Sequence, residues 1–226
     1  LNERALASPR PTILLTGFGP FPGVDSNATA ELIPELTDAA RRKFPQHEVL
    51  GEILPVEWSR APQVLKRLLS GATAVLALHF GVSHEAKGFQ IELIGRNVRG
   101  ARHDATGELP SGAMVIASGP AMLASTLPAE RVIARLARLG FPCCTSNNAG
   151  NYLCNALMYH SLTAARALPT PFLSGFIHVP ENLSGRIFPT GAEGNKAGSE
   201  SPLTWAAAIA GSIEIITACL EGAVLL

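Results

Sequence analysis

Short apolar runs rich in β-branched residues alternate along this chain with longer segments of helical period, and few folds accommodate that alternation. Each short run reads as a buried strand and each longer one as a helix crossing to the next strand, so the chain is expected to build βα units around a mostly parallel sheet. The first strand runs from Thr12 to Thr16 and is ended by a glycine- and proline-rich turn over 17–23. A helix is expected over 28–43, a strand over 48–54, a helix over 58–69 and a fully apolar strand over 74–78. Residues 89–98 read as a further strand in which Glu92 interrupts an apolar series. Segment 100–118 is turn-rich, with Asp104-Ala105-Thr106-Gly107 as its tight turn and room for a short hairpin. Helical period returns over 128–139 and stops at Gly140; the strand Cys143-Cys144-Thr145, a helix carrying Cys154 to about 165, and a strand from Phe172 to His178 follow. Residues 181–202 read as a long loop, and a closing helix starts near Pro202.

A chain of 226 residues and 23.7 kDa fits one domain, 1–226, with residues 1–11 expected to be a flexible N-terminus. Eighteen Lys and Arg balance eighteen Asp and Glu, which leaves no electrostatic footprint for nucleic acid or an anionic membrane. The apolar run 205–226 raises the question of a membrane span, but Glu214 and Glu221 interrupt it, and each such charge costs about 2.5 to 3.5 kcal/mol near a bilayer centre. A packed amphipathic helix is the better reading. Four cysteines, at 143, 144, 154 and 219, form no C-x-x-C pair and have no histidine at metal-ligand spacing, so no metal is expected. No apolar leader marks the chain for secretion, and a cytoplasmic, reducing setting is expected.

Chemistry concentrates in the stretch Ser146 to Asn155, which sets Cys154 just inside the start of a helix. A thiol attacks as thiolate, and the free pKa of about 8.5 falls near a helix N-terminus or an imidazolium. On spacing alone the commoner fate of such a cysteine is a small buried hydrophobe, which is also the expectation for Cys143, Cys144 and Cys219. His178, at a strand end, reads either as a base or as a satisfied histidine; Glu92 reads either as the carboxylate that orients it or as a surface residue of an edge strand. In open α/β sheets ligands gather at the carboxyl ends of strands. Gly17-Phe18, the turn from Cys144 to Gly150 and His178 are all expected at that edge. The turn Gly17-Phe18-Gly19-Pro20-Phe21-Pro22-Gly23 lacks the Lys-Ser/Thr of a phosphate loop, and its prolines remove backbone donors. It reads instead as a rigid wall displaying Phe18 and Phe21 to a flat, uncharged group.

Five pieces of the chain occur together in order: Thr16 to Phe21 with Asn27-Ala28-Thr29; His79-Phe80-Gly81-Val82-Ser83; Glu92 ahead of Asn97; Ser146 to Asn155; and Gly175-Phe176-Ile177-His178-Val179-Pro180. This series resembles the pyroglutamyl peptidase I family, the pyrrolidone carboxyl peptidases. The resemblance implies an α/β fold, a three-layer α/β/α sandwich with a mostly parallel, mixed central sheet. It implies a cofactor-independent, cytosolic cysteine exopeptidase, a homo-oligomer (dimer or tetramer), that removes N-terminal pyroglutamyl residues from peptides through a thiolate acyl-enzyme. Carried over position by position, it makes Cys154 the nucleophile, His178 the general base and Glu92 the orienting carboxylate. Phe18 and Phe21 become the aromatics that grip the lactam, Tyr152 stands beside the nucleophile and Arg102 near the active site. Val82 occupies a position where some bacterial members carry glutamine. Val82, His103 and the long loop keep open a different cysteine hydrolase on the same scaffold, and a non-catalytic homologue that binds a small molecule or peptide is the remaining alternative.

Overall fold

Period-two alternation along the strands decides which side chains meet which helix layer, and so where the chemistry sits. The computed structural model describes residues 10–21, 23–24, 26–167, 171–185 and 203–221; most of the expected N-terminal arm and of the 181–202 loop lies outside these. The elements in chain order are β1 (Thr12–Phe18), α1 (Ala28–Lys43), β2 (Glu48–Leu54), α2 (Arg60–Ser70), β3 (Ala74–Ser83), β4 (Phe89–Glu92), β5 (Ile94–Arg96), β6 (Met122–Ala124), α3 (Ala129–Arg138), β7 (Cys143–Ser146), α4 (Leu153–Ala167), β8 (Leu173–Pro180) and α5 (Trp205–Leu220).

Six strands form one sheet in the order β2-β1-β3-β8-β4-β7. The first four run parallel, β4 is antiparallel to β8, and β7 is parallel to β4. Ile13, Leu15, Leu78, Phe80, Phe89, Ile91, Ile177 and Val179 face one side and pack with α1, α3 and α5; Leu14, Phe18, Ala77 and Phe176 face the other and pack with α2 and α4. The expected three-layer α/β/α sandwich is therefore the observed architecture. Glu214 of α5 and Glu221, the residue that caps its C-terminus, both pair with Arg135 of α3, at 2.5 and 2.9 Å, so the charges that argued against a membrane span serve helix packing. No helix among the described residues is long and apolar enough to cross a membrane.

Several expected boundaries move. β3 continues through Gly81 to Ser83 and β8 through Val179-Pro180, because β3 and β8 remain in parallel register over their whole upper halves. The strand expected over 89–98 is two strands. Leu93 N–H still donates to Ser146 O of β7 at 2.7 Å, but Leu93 O accepts from Ser125 N–H at 2.7 Å, so the chain changes partners there and leaves the large sheet. β5 then pairs with β6 antiparallel, outside the 100–118 segment, which holds no hairpin of its own. The Asp104–Gly107 turn is present, closed by Gly107 N–H to Asp104 O at 3.1 Å.

The reversed direction of β7 corrects a second expectation. Its carboxyl end does not lie at the edge shared by β1, β3 and β8; residues 147–152 carry the chain back up so that α4 can start there. As the edge strand, β7 also exposes Cys144 and leaves Cys143 half-buried, whereas Cys219 is buried in α5. Of the three cysteines expected in the core, only Cys219 lies there.

Candidate active site

The face toward α2 and α4 collects His79, Gly81, Gln90, Glu92, Phe176 and His178, since cross-strand partners share a face: Gly81 and Gln90 both stand opposite His178, and Glu92 stands opposite Phe176. α4 brings Cys154 to the same place. The turn before it is built by Asn148 N–H donating to Ser146 Oγ at 3.1 Å and Gly150 N–H donating to Asn148 Oδ1 at 3.2 Å. Ala156 N–H then bonds to Tyr152 O at 3.1 Å, which places Cys154 in the first turn, where N–H groups lack an intrahelical acceptor and the helix dipole is positive. The neighbouring Asn155 is fully buried and ties the helix to β5, accepting from Arg96 N–H and donating to Arg96 O and Val98 O at 2.8, 2.8 and 2.9 Å.

Glu92 is completely buried and His178 is 6% exposed; His178 Nδ1 and Glu92 Oε1 are 2.8 Å apart. The surface-facing alternative for Glu92 does not hold. With Nδ1 committed to the carboxylate, Nε2 is the ring nitrogen available to Cys154. Burial pushes the imidazole pKa down, but the hydrogen bond and charge of Cys154, together with those of Glu92, outweigh burial and raise it to about 9. Burial pushes the Glu92 carboxyl up, yet hydrogen bonds from His178, Gln90 and Ser146 and the charge of His178 hold it below its ordinary value. Gly81 is required here by space. A Cβ on it would stand 2.8 Å from the Phe176 ring and 3.1 Å from Cys154 Sγ.

A small pocket opens beside the thiol, lined by Phe18, Phe21, Asn27, Val56, Gly81, Val82, Tyr152 and Leu153 with Cys154. Phe18 is held by α1, because its N–H donates to Thr29 Oγ1 at 3.0 Å and Thr29 N–H is in turn capped by Asn27 Oδ1 at 3.1 Å. The Tyr152 ring lies 6.0 Å from Phe21 and packs edge-on against Trp58 at 5.2 Å, with the Arg102 guanidinium 4.7 Å above it. Arg102 is exposed and reaches the pocket only through Tyr152. Exposed His103 also touches the rim, accepting the Tyr152 hydroxyl on its backbone O at 2.9 Å. The four sequence-expected lining residues Phe18, Phe21, Val82 and Tyr152 thus meet at the thiol; Asn27 and Leu153, which the sequence placed in motifs without a lining role, and Val56, which it did not mark, join them.

Two further supports were read from sequence only as turn or strand residues. Buried Asp104 accepts hydrogen bonds from Trp58 N–H at 2.9 Å and from Thr106 and Glu108, so that it clips the 99–108 segment behind the aromatic wall. Gln90 Nε2 donates to Glu92 Oε1 at 2.8 Å. Its position two residues before Glu92 on one strand was the available signal.

A larger crevice lies between α2 and α4, lined by Leu65, Leu69, Ile116, His160 and Ala164 among others. Size alone favours it, but no cysteine or carboxylate lines it, and burial together with the Arg99 charge lowers the His160 pKa to about 4. Cys154, beside the buried His178–Glu92 pair, lines the smaller pocket instead. No cluster of three or more His, Cys, Asp or Glu side chains suited to a metal ion occurs among the described residues.

Comparison with known proteins bears on the family and the fold. The sequence profile of the pyroglutamyl peptidase family matches residues 11–215. The chain is 35% identical over 169 residues to a pyrrolidone-carboxylate peptidase of Pyrococcus furiosus, covering 74% of this chain and 80% of that one, and 33% identical over 169 residues to one from Halalkalibacterium halodurans, covering 74% and 83%. A crystal structure of the Pyrococcus furiosus pyrrolidone carboxyl peptidase superposes with a TM-score of 0.81 at 30% identity, covering 94% of this chain and 99% of that one; the Thermococcus litoralis structure gives 0.81 at 27%, covering 94% of each. With a family profile spanning most of the chain and relatives of one name on both sequence and structure, this protein belongs to the pyroglutamyl peptidase family of cysteine peptidases.

Proposed function

We propose that the protein is a cysteine exopeptidase that removes N-terminal pyroglutamyl residues from peptides, with Cys154 as nucleophile, His178 as general base and acid, and Glu92 as the carboxylate that orients the imidazole. The observation that carries this reading is the buried Glu92–His178 pair at 2.8 Å, whose raised imidazole pKa depends on Cys154 beside it. An imidazole that keeps its proton to about pH 9 stands beside the thiol as the counter-charge of an attacking thiolate.

In the forward step the Cys154 thiolate attacks the scissile carbonyl, and N–H groups at the start of α4 serve as donors to the developing oxyanion. His178 Nε2 passes its proton to the leaving amine as the tetrahedral adduct collapses to an acyl-enzyme. The neutral imidazole then takes a proton from water, whose attack releases pyroglutamate and restores the thiolate. Glu92 accepts the hydrogen bond from His178 Nδ1–H throughout, stays ionised and stabilises the imidazolium.

Specificity follows from the wall. Pyroglutamate has no free α-amine, and none of the pocket-lining residues is a carboxylate that would demand one. Phe18, Phe21 and Tyr152 present apolar surface to a flat lactam. The same reading has the enzyme acting in the cytoplasm as a homo-oligomer of single-domain chains, and rests for this on the family resemblance. The test is hydrolysis of a pyroglutamyl chromogenic amide against the matching prolyl and glutamyl amides, with wild type and Cys154→Ser. Cleavage of the pyroglutamyl amide only, lost in the variant, is expected; comparable turnover of all three amides, or a fully active variant, contradicts the proposal.

A further inference from the structure

Glu92 carries its hydrogen bonds unevenly. Oε1 receives both His178 Nδ1 and Gln90 Nε2, each at 2.8 Å, while Oε2 is buried without a well-formed bond among the described residues. Gln90 shares the sheet face of Glu92, stands directly opposite His178 across the β4–β8 ladder, and is itself half-buried. A carboxylate oxygen held by one donor swings about its terminal bond. Two donors converging on Oε1 fix that oxygen, with Ser146 as a further, less well-formed contact to the carboxylate. The amide is suited to this position because it gives a hydrogen bond to the anion but has no proton to transfer to it.

We propose that Gln90 is a positioning residue of this site, holding the Glu92 carboxylate ionised and aimed at His178 through the oxygen the two donors share. The inference rests on the reading of Glu92, His178 and Cys154 as a catalytic unit. The groups facing Glu92 are few. They are His178 from β8, with Cys154 of α4 beyond it, Gln90 from its own strand, and Ser146 and Cys144 from β7, the Cys144 thiol being pushed up by burial and by the Glu92 charge. Only His178 among them brings positive charge, so without Gln90 the carboxylate takes up a proton more readily. A protonated Glu92 no longer stabilises the imidazolium, which then serves less well as the counter-charge of an attacking thiolate. Loss of Gln90 therefore erodes Cys154 reactivity from the acid side.

The experiment follows iodoacetamide alkylation of Cys154 against pH, with the label located by peptide mass mapping, in wild type, Gln90→Leu and Gln90→Glu. This readout needs no pyroglutamyl substrate. Gln90→Leu is expected to move the acid limb of Cys154 reactivity up by about one pH unit and to slow alkylation at pH 6 about tenfold, in keeping with loss of one hydrogen bond to a charged group. Gln90→Glu, nearly the same shape with a like charge beside Glu92, is expected to move the limb further. An unshifted limb in both variants, or an equal loss of reactivity at every pH, overturns the proposal. A wild-type limb that behaves as expected while the pyroglutamyl amide stays uncleaved would count against the substrate reading and leave Gln90 its role.

Discussion

Two buried histidines sit on the same face of the sheet, on adjacent strands, and have opposite electrostatics. His79 of β3 is fully buried between two hydroxyls, sharing hydrogen bonds of 2.8 Å with Thr16 Oγ1 and Ser161 Oγ, and Ser161 continues to Ser174 at 2.7 Å. Nothing in that chain compensates a positive charge, and burial lowers its pKa to about 3. His178 of β8 is almost as buried, yet Cys154 and Glu92 raise its pKa to about 9. The Phe176 ring lies near both, 6.5 Å from His79 and 4.9 Å from His178. Burial alone does not make a histidine chemical; a carboxylate and an ionisable thiol do. His79 joins β1, β3, α4 and β8 as a neutral cross-link, and His178 stores a proton at the edge of the pocket.

The sharpest way to break this contrast is to remove the charge beside His178 while keeping the shape. Glu92→Gln is expected to lower kcat/KM for the pyroglutamyl amide by on the order of 10³-fold or more, as loss of the orienting carboxylate does in comparable triads, with the far-ultraviolet circular dichroism spectrum unchanged. A variant within tenfold of wild type would make Glu92 a structural residue like the hydroxyls around His79. The complementary change, His79→Leu, leaves Thr16 Oγ1 without its imidazole partner, at a cost of about 1 to 3 kcal/mol. Thermal unfolding should then fall by about 2 to 12 °C for a chain of this length, with kcat within a few-fold of wild type. A collapse of kcat without loss of stability would instead give His79 a part in the chemistry.

Much of the site was legible because its parts lie on regular strands. A carboxylate interrupting the apolar series around Glu92, a histidine at the end of an apolar strand and a cysteine after a polar turn are all local signals. The face they share follows from alternation: residues 90 and 92, 79 and 81, and 176 and 178 point the same way whatever the strand order. What local pattern does not carry is the partner of each strand. The apolar series beyond Glu92 reads as one strand because Leu93 and Ile94 are good strand residues; the break comes from Leu93 O finding Ser125 rather than the large sheet. Cys144 reads as core because its strand is short and apolar, and its exposure follows from β7 standing at the sheet edge. Asp104 reads as a turn residue, which it is, but its second carboxylate oxygen reaches across 46 positions to Trp58. Contacts of that kind depend on the fold as a whole.

The measurement closest to the central claim is the titration of the His178 ring, followed by NMR in wild type, Cys154→Ser and Glu92→Gln. Because opposite charges raise the folded-state pKa, the wild-type imidazole should keep its proton through neutral pH and lose it near pH 9, and each substitution should move that transition to lower pH. A His178 that titrates below pH 6 in wild type, as burial without charged partners dictates for His79, would contradict the account.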